Sequence, residues 1–297
     1  MRSNRIPLCR FGIIVFAVCI SGFSAPAQTP SPTPAPAPSS SPSLEKNFFK
    51  NILRDQKAIW TSPAHVHSQY APWLVVLGVT TGGFLATDRA TGDDMATHTG
   101  QLKASRDISY AGTIYGVGAE AASFYFIGRA THNQRARETG ILSAEAIIDS
   151  GIVITIVKEI AQRARPLTGR DRSKFFVGGS SFPSGHAIEA WSVATVVANE
   201  YRGHLGVQVA AYGLASAVSV SRFTGLHHYL SDVLVGSAMG YGIGRYVYRV
   251  HHRPNPASTG GDDEEEETFS RSKRMPAIEP LYNRRAHDYG VALAWSF

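Results

Sequence analysis

"SSFPSGHAIEA", residues 180–190, decides how the chain is read. Pro183 and Gly185 are turn formers, and Ser184 is a good helix N-cap. The apolar run that follows, through Trp191 and Val197, has the length and periodicity of a buried helix. The stretch therefore predicts a loop that becomes a core helix. His186 falls in the first turn, where free backbone N–H groups attract anions. Gly185 has no side chain to block such an approach.

Working outward, the interval 71–250 reads as helix after helix, over roughly 72–87, 104–130, 137–163, 184–201, 205–222 and 229–250. The expected fold is all-α, a bundle of about six core helices. "EKNFFKNILRDQKAIW" (45–60) adds an N-terminal amphipathic helix. The better expectation for it is packing on its own domain, with a membrane surface as the alternative. "DYGVALAWSF" at the end alternates apolar and other residues, which predicts one short edge strand or docking tail.

The flanks differ in composition. Residues 1–27 read as a secretory signal, with Arg2, Arg5 and Arg10 before an apolar run and Ala25-Pro26-Ala27 at the cleavage site. Residues 28–44 are a Pro/Ser-rich tether. The helical domain takes 45–250, a charged linker 251–275 and the strand tail 276–297. Both cysteines, Cys9 and Cys19, lie in the signal, so the mature chain has no disulfide or thiolate metal site. Removing the signal lowers the formal net charge from +6 to +3, and "DDEEEE" (262–267) holds six of the acids, leaving +9 elsewhere. That balance suits an anionic partner. Nucleic acid is not expected, since no binding motif for it is present.

Within the expected helices, the uncharged stretches 71–87 and 205–221 reach only 17 residues, and Glu120, Glu145, Asp149 and Glu189 interrupt other segments. A span needs about 20 apolar residues, so the expectation is a soluble or peripherally attached bundle. Nothing in the sequence sets an oligomeric state.

Two further segments carry chemistry. In "KEIAQRARP" (158–166), Lys158 and Arg165 are seven apart, which returns them to one helix face, with Pro166 ending the helix. Arg163 falls off that face and reads as a solvent or partner contact. In "SRFTGLHHYLSD" (221–232), His228 and Asp232 are i, i+4 and can share a face and a hydrogen bond. His227 has Ser231 at that offset and gains no carboxylate. A carboxylate on one ring nitrogen frees the other as a nucleophile. Arg222 adds a third cation.

Together, Lys-x6-Arg-Pro, Pro-Ser-Gly-His and Ser-Arg-x5-His-x3-Asp resemble the type-2 phosphatidic acid phosphatase superfamily, which also holds bacterial class A acid phosphatases and vanadium-dependent haloperoxidases. The resemblance covers residues 72–250 and implies a helical bundle built round a four-helix catalytic core, and a metal-independent phosphatase working through a phosphohistidine. On that resemblance His228 is the nucleophile and Asp232 its orienting acid. His186 protonates the leaving oxygen and then activates water. Lys158, Arg165, Ser184, Gly185 and Arg222 bind the phosphate. No cofactor is implied, and vanadate is expected to inhibit. The substrate is a phosphorylated lipid or small molecule, with lipid slightly favoured. An exported protein at the periplasm or its membrane face is expected. A haloperoxidase, or a non-catalytic envelope protein on the same scaffold, is the alternative.

Overall fold

A computed structural model describes residues 44–65, 68–97, 100–169, 172–252, 277–283 and 288–294. The expected signal, the tether through residue 43 and the acidic run of the linker lie outside the described residues. Eight α-helices follow in order among them: α1 (Leu44–Thr61), α2 (Ala71–Thr97), α3 (Leu102–Ser109), α4 (Ile114–Ala130), α5 (Gln134–Ala161), α6 (Gly185–Glu200), α7 (Leu205–Thr224) and α8 (Leu230–His251).

The helix opened by the Ser-Gly-His stretch is the axis of the bundle. Its apolar residues face four neighbours at once. Ile188 and Val196 pack with Leu142 and Ile154 of α5 and with Ile243 and Val247 of α8. Val193 and Val197 meet Val117 and Ala121 of α4, and Ala190 and Ala194 meet Ala215 and Val218 of α7. On the α8 side, Gly236, Gly240 and Gly244 repeat every four residues. A Cβ on them would lie 2.6, 2.3 and 2.3 Å from the carbonyl oxygens of Ser184, Ile188 and Ser192. Only glycine lets the two backbones come so close.

Three boundaries differ from the expectation. The segment 104–130 is two helices, broken where Thr113 leaves helical geometry and its hydroxyl caps α4 through the Gly116 N–H. The 137–163 helix ends earlier, at Ala161, because Gln162 turns left-handed (φ 43). The chain then doubles back on the helix end: Val177 and Gly179 N–H both donate to the Gln162 carbonyl, and Ser181 N–H to that of Arg163. A Cβ at Gly179 would lie 2.1 Å from the Arg163 oxygen, so the reversal needs glycine there. The third difference is at the C-terminal end. β1 (Ala277–Asn283) and β2 (Asp288–Ala294) pair antiparallel, with Tyr282 opposite Tyr289. The sequence pattern predicted only the second of these strands; Pro280 lies inside the first, where a proline weakens the strand signal.

The helix surfaces also change the expectation of a soluble bundle. α2 extends over 27 residues, and Trp73, Leu74, Val75, Val76 and Val79 are all exposed. α2 and α5 are both long and apolar enough to cross a membrane, and the apolar window of α2 is buried nowhere. Exposed apolar surface of this extent marks an interaction with lipid or protein. The sequence argument measured uncharged length and had no access to burial. α1 packs against α5 with Ile52 inward, as the favoured reading had it, while Phe49, Leu53 and Trp60 point outward among Lys50, Arg54 and Lys57.

Candidate active site

The nucleophile candidate sits in the turn between α7 and α8. Leu226 is left-handed (φ 59), and both His227 and His228 donate their backbone N–H to the Arg222 carbonyl. This turn drives the adjacent rings apart: His228 is 2 % exposed, while His227 faces outward.

His228 precedes α8, so the i, i+4 helix argument for its partner does not hold. Its Nδ1 donates to the Ser181 carbonyl at 2.6 Å. The Asp232 carboxylate lies 3.8 Å from that nitrogen, too far for a hydrogen bond. The consequence for the ring is nevertheless the one expected. A proton on Nδ1 leaves the Nε2 lone pair free. Burial pushes the His228 imidazole down to about 4, against the opposing pull of Asp232.

Asp232 acts as the keystone behind this ring. It is the N3 residue of α8 and accepts the Tyr229 backbone N–H at 2.9 Å. Its Oδ2 also accepts the Ser181 hydroxyl at 2.5 Å, so it holds the very residue whose carbonyl orients His228. Its Oδ1 takes Arg163 Nη1 at 2.5 Å.

Arg163 was expected at a solvent or partner face, and the structure corrects this. It is 1 % exposed. Nη2 donates to Asp88 Oδ2 at 2.9 Å, Nη1 also to Ser231 Oγ at 2.7 Å, and Nε to the Ser173 carbonyl at 3.2 Å. Its guanidinium lies over the Tyr229 and Phe175 rings, at 4.5 and 4.8 Å. The helix wheel failed because α5 ends before Arg163, and the reversal turns this side chain inward. Asp88 closes the unit by accepting the Ser231 hydroxyl and anchors α2 to the start of α8.

In front of the ring lie the expected phosphate ligands. Lys158 Nζ is 3.7 Å from where a Gly185 Cβ would stand, at the first residue of α6. Ser184 occupies the N-cap as predicted, but its hydroxyl makes no capping bond. Its backbone N–H donates instead to the Asp232 carbonyl at 3.0 Å, which ties the start of α6 to α8. Arg222 donates to Ser109 Oγ of α3. Arg165 stands beyond the helix end on the reversing strand of chain, so it meets Lys158 by tertiary folding rather than along a helical stripe. Among the described residues, Arg165 Nε, Arg222 Nε and Ser184 Oγ are buried without a hydrogen-bond partner.

His186 lies in the same field. Burial, then Arg222, His228 and Lys158, push its imidazole down to about 3. Sequence reasoning missed Asp88, Ser181, Ser109 and the inward role of Arg163. The only signal was an isolated acid, Asp88, beyond the apolar run of α2.

Residues 140–256 match the family model of the PAP2 superfamily. The PAP2 match takes in all three motifs and α5 to α8, and leaves α1 to α4 outside it. Over 72 residues the chain is 39% identical to the lipid A 1-phosphatase of Porphyromonas gingivalis, which is 24% of this chain and 16% of that protein. The chain thus matches about a sixth of that relative's length. Among solved structures, a transmembrane PAP2-type phosphatidylglycerolphosphate phosphatase from Bacillus subtilis aligns with 19% identity and a TM-score of 0.45, covering 71% of this chain and 97% of that one. LpxE of Aquifex aeolicus aligns with 19% identity and a TM-score of 0.43, covering 56% and 94%.

Proposed function

We propose that the protein is a membrane-associated phosphatase that hydrolyses phosphate monoesters or diphosphates, lipid phosphates by preference, through a phosphohistidine and without a metal at the phosphate. The observation that carries this reading is the set of unpaired buried donors, Arg165 Nε, Arg222 Nε and Ser184 Oγ, grouped with Lys158 at the α6 N-terminus. Buried donors without partners are costly, and a phosphate dianion would satisfy all of them.

In this reading His228 Nε2 attacks phosphorus, the bond to the leaving oxygen breaks, and His186 protonates that oxygen. His186 then takes a proton from water as the water attacks, the N–P bond breaks, and phosphate leaves. Fixed cations stabilise the charge spread over the equatorial oxygens. Before substrate binds, burial and then the cations hold His186 neutral; a bound dianion offsets the cations and raises its proton affinity.

Three features support lipid. The outer face of α1 mixes Phe49, Leu53 and Trp60 with Lys50, Arg54 and Lys57, which suits an anionic membrane surface. α2 leaves its apolar residues uncovered, as a segment inserted in a bilayer would. An apolar groove of about 440 Å³ is lined by Ile114, Ile148, Gly151 and Thr155. Thr155 lies one turn before Lys158, and Ile114 follows Gly112, where a Cβ would lie 3.4 Å from that of His186. An acyl chain in this groove would have its phosphate at the cradle. Export to the periplasmic side belongs to the same proposal and stems from the leader residues.

Purified protein is expected to release phosphate from phosphatidic acid faster than from p-nitrophenyl phosphate, both in EDTA, and to be inhibited by vanadate. His228→Ala should lower kcat by at least about 10³-fold. Labelled substrate should leave an alkali-stable, acid-labile phosphoryl group on the wild type alone. Full activity in His228→Ala would refute the mechanism.

A further inference from the structure

A second polar cluster lies where α1 meets α5 and α8. His251, near the end of α8, places Nε2 at 2.9 and 2.8 Å from the two carboxylate oxygens of Asp55 on α1. Glu145 of α5 joins them, and one ligand atom from each of the three lies within 4.8 Å of the others. Asp55 and Glu145 are fully buried and His251 is 7 % exposed. One turn along α5, the buried Asp149 faces the same space. Gln56 of α1 donates to its Oδ1 at 2.8 Å, as Asn51 donates to Glu145 Oε1 at 2.9 Å.

The cluster gathers three carboxylates, one imidazole and, at its edge, the exposed Arg54. Two carboxylate oxygens aimed into it, Glu145 Oε2 and Asp149 Oδ2, are buried without a partner among the described residues. A buried carboxylate is tolerated when it is paired, protonated or bound to a metal. The protein's other histidine–carboxylate cluster behaves differently. There His252 Nδ1 sits 3.1 Å from Glu138 and 3.2 Å from Glu200. Among the described residues, neither of those carboxylates leaves a buried oxygen without a partner.

From this contrast we infer that Asp55, Glu145 and His251 bind a first-row divalent cation, Zn²⁺ or Mn²⁺, with Asp149 as a fourth oxygen donor, and that the ion pins α1 to the bundle. One imidazole with several carboxylates suits these ions, whereas Ca²⁺ and Mg²⁺ prefer oxygen alone. Binding displaces the proton that His251 Nε2 shares with Asp55. The ligands come from three helices, and Asp55 lies outside the stretch matched to the PAP2 superfamily. The ion is structural and takes no part in the phosphate chemistry.

The full chain, purified without chelator and dialysed against metal-free buffer, should retain about one equivalent of Zn²⁺ or Mn²⁺ by elemental analysis. EDTA should remove it and lower the melting temperature by several degrees, and Zn²⁺ should restore both. Glu145→Gln should abolish the bound equivalent and the Zn²⁺-dependent rise. The stripped protein should still release phosphate from p-nitrophenyl phosphate below its melting temperature. Wild-type protein with no stoichiometric metal and a melting temperature indifferent to Zn²⁺ and Mn²⁺ would overturn the inference, as would Glu145→Gln that keeps its metal. In either case the cluster would be a proton-sharing network.

Discussion

Arg163 and Arg165 are two residues apart on the same reversing segment, and they meet opposite circumstances. Arg163 lies behind the His228 ring with partners for all three guanidinium nitrogens: Asp88, Asp232, Ser231 and the Ser173 carbonyl. Arg165 lies in front, and its buried Nε has no partner among the described residues. The rear group is neutralised within the protein and serves to position. The front group carries positive charge that the protein does not neutralise. A buried cation that is paired reports on architecture, and one left unpaired reports on a ligand.

This difference can be broken most severely from the rear. Arg163→Ala leaves Asp88 and Asp232 as buried carboxylates without their cation, and such deletions cost about 3–5 kcal/mol. A large fall in melting temperature in detergent is expected, with activity lost because the fold is lost. Arg163→Lys should recover only part of the stability, since one ammonium cannot reach both acids and Ser231 in the planar geometry of a guanidinium. Unchanged stability in Arg163→Ala would abolish the distinction between rear and front.

Arg165→Ala should invert the pattern. Arg165 is half-buried and its Nε has no partner, so its removal breaks no hydrogen bond at Nε and the melting temperature should stay the same or rise. Loss of one preorganised donor to the phosphoryl group should lower kcat/KM by about 10²–10³-fold. Vanadate and phosphate should also lose most of their affinity. A variant that is less stable yet fully active would show Arg165 to be structural.

How much of this was legible in the sequence follows from the same pair. Spacing marked Lys158, Arg165, Ser184, His186, Arg222, His228 and Asp232, and the structure gathers them at the adjoining ends of α5, α6, α7 and α8. Helix periodicity located every core helix, because burial repeats along an α-helix whatever packs against it. Arg163 was misread because a helical wheel applies only while the helix lasts, and α5 stops at Ala161. The left-handed Gln162 that stops it is stabilised by backbone bonds from residues 177 and 179, which no local pattern announces. His228 and Asp232 were linked for a helical reason that fails. They remain linked through Ser181, whose carbonyl and hydroxyl hold one each. The polar inner face of α1 was hidden too, since no local pattern ties Asn51, Asp55 and Gln56 to their partners on α5 and α8.

The charge imbalance of the front group also predicts a pH profile. His228 must be neutral to attack, and its imidazole is pushed down to about 4. Protonation below that value removes the lone pair, so kcat/KM on an ionised substrate should show an acid limb near pH 4. Arg222 is among the cations that lower the value. In Arg222→Ala the acid limb should therefore move to higher pH, alongside the drop in rate. A limb that stayed fixed, or moved to lower pH, would mean that another group sets it.

The smallest expected effect separates the two regions most cleanly, because it involves one oxygen atom. Ser184 is the N-cap of α6, and replacing an ordinary capping serine by alanine costs about 1 kcal/mol of stability. Here the hydroxyl caps nothing; it is fully buried and unpaired at the front of the site. Ser184→Ala should therefore leave the melting temperature unchanged and lower kcat/KM about tenfold, the worth of one hydrogen bond to a charged group. Ser181→Ala, its counterpart at the rear, should do the reverse in proportion. It removes the hydroxyl bonded to Asp232 at 2.5 Å but keeps the carbonyl that orients His228, so stability should fall while most of the rate survives. If the two serines gave the same ratio of stability loss to rate loss, the division into a neutralised support and an uncompensated cradle would be wrong.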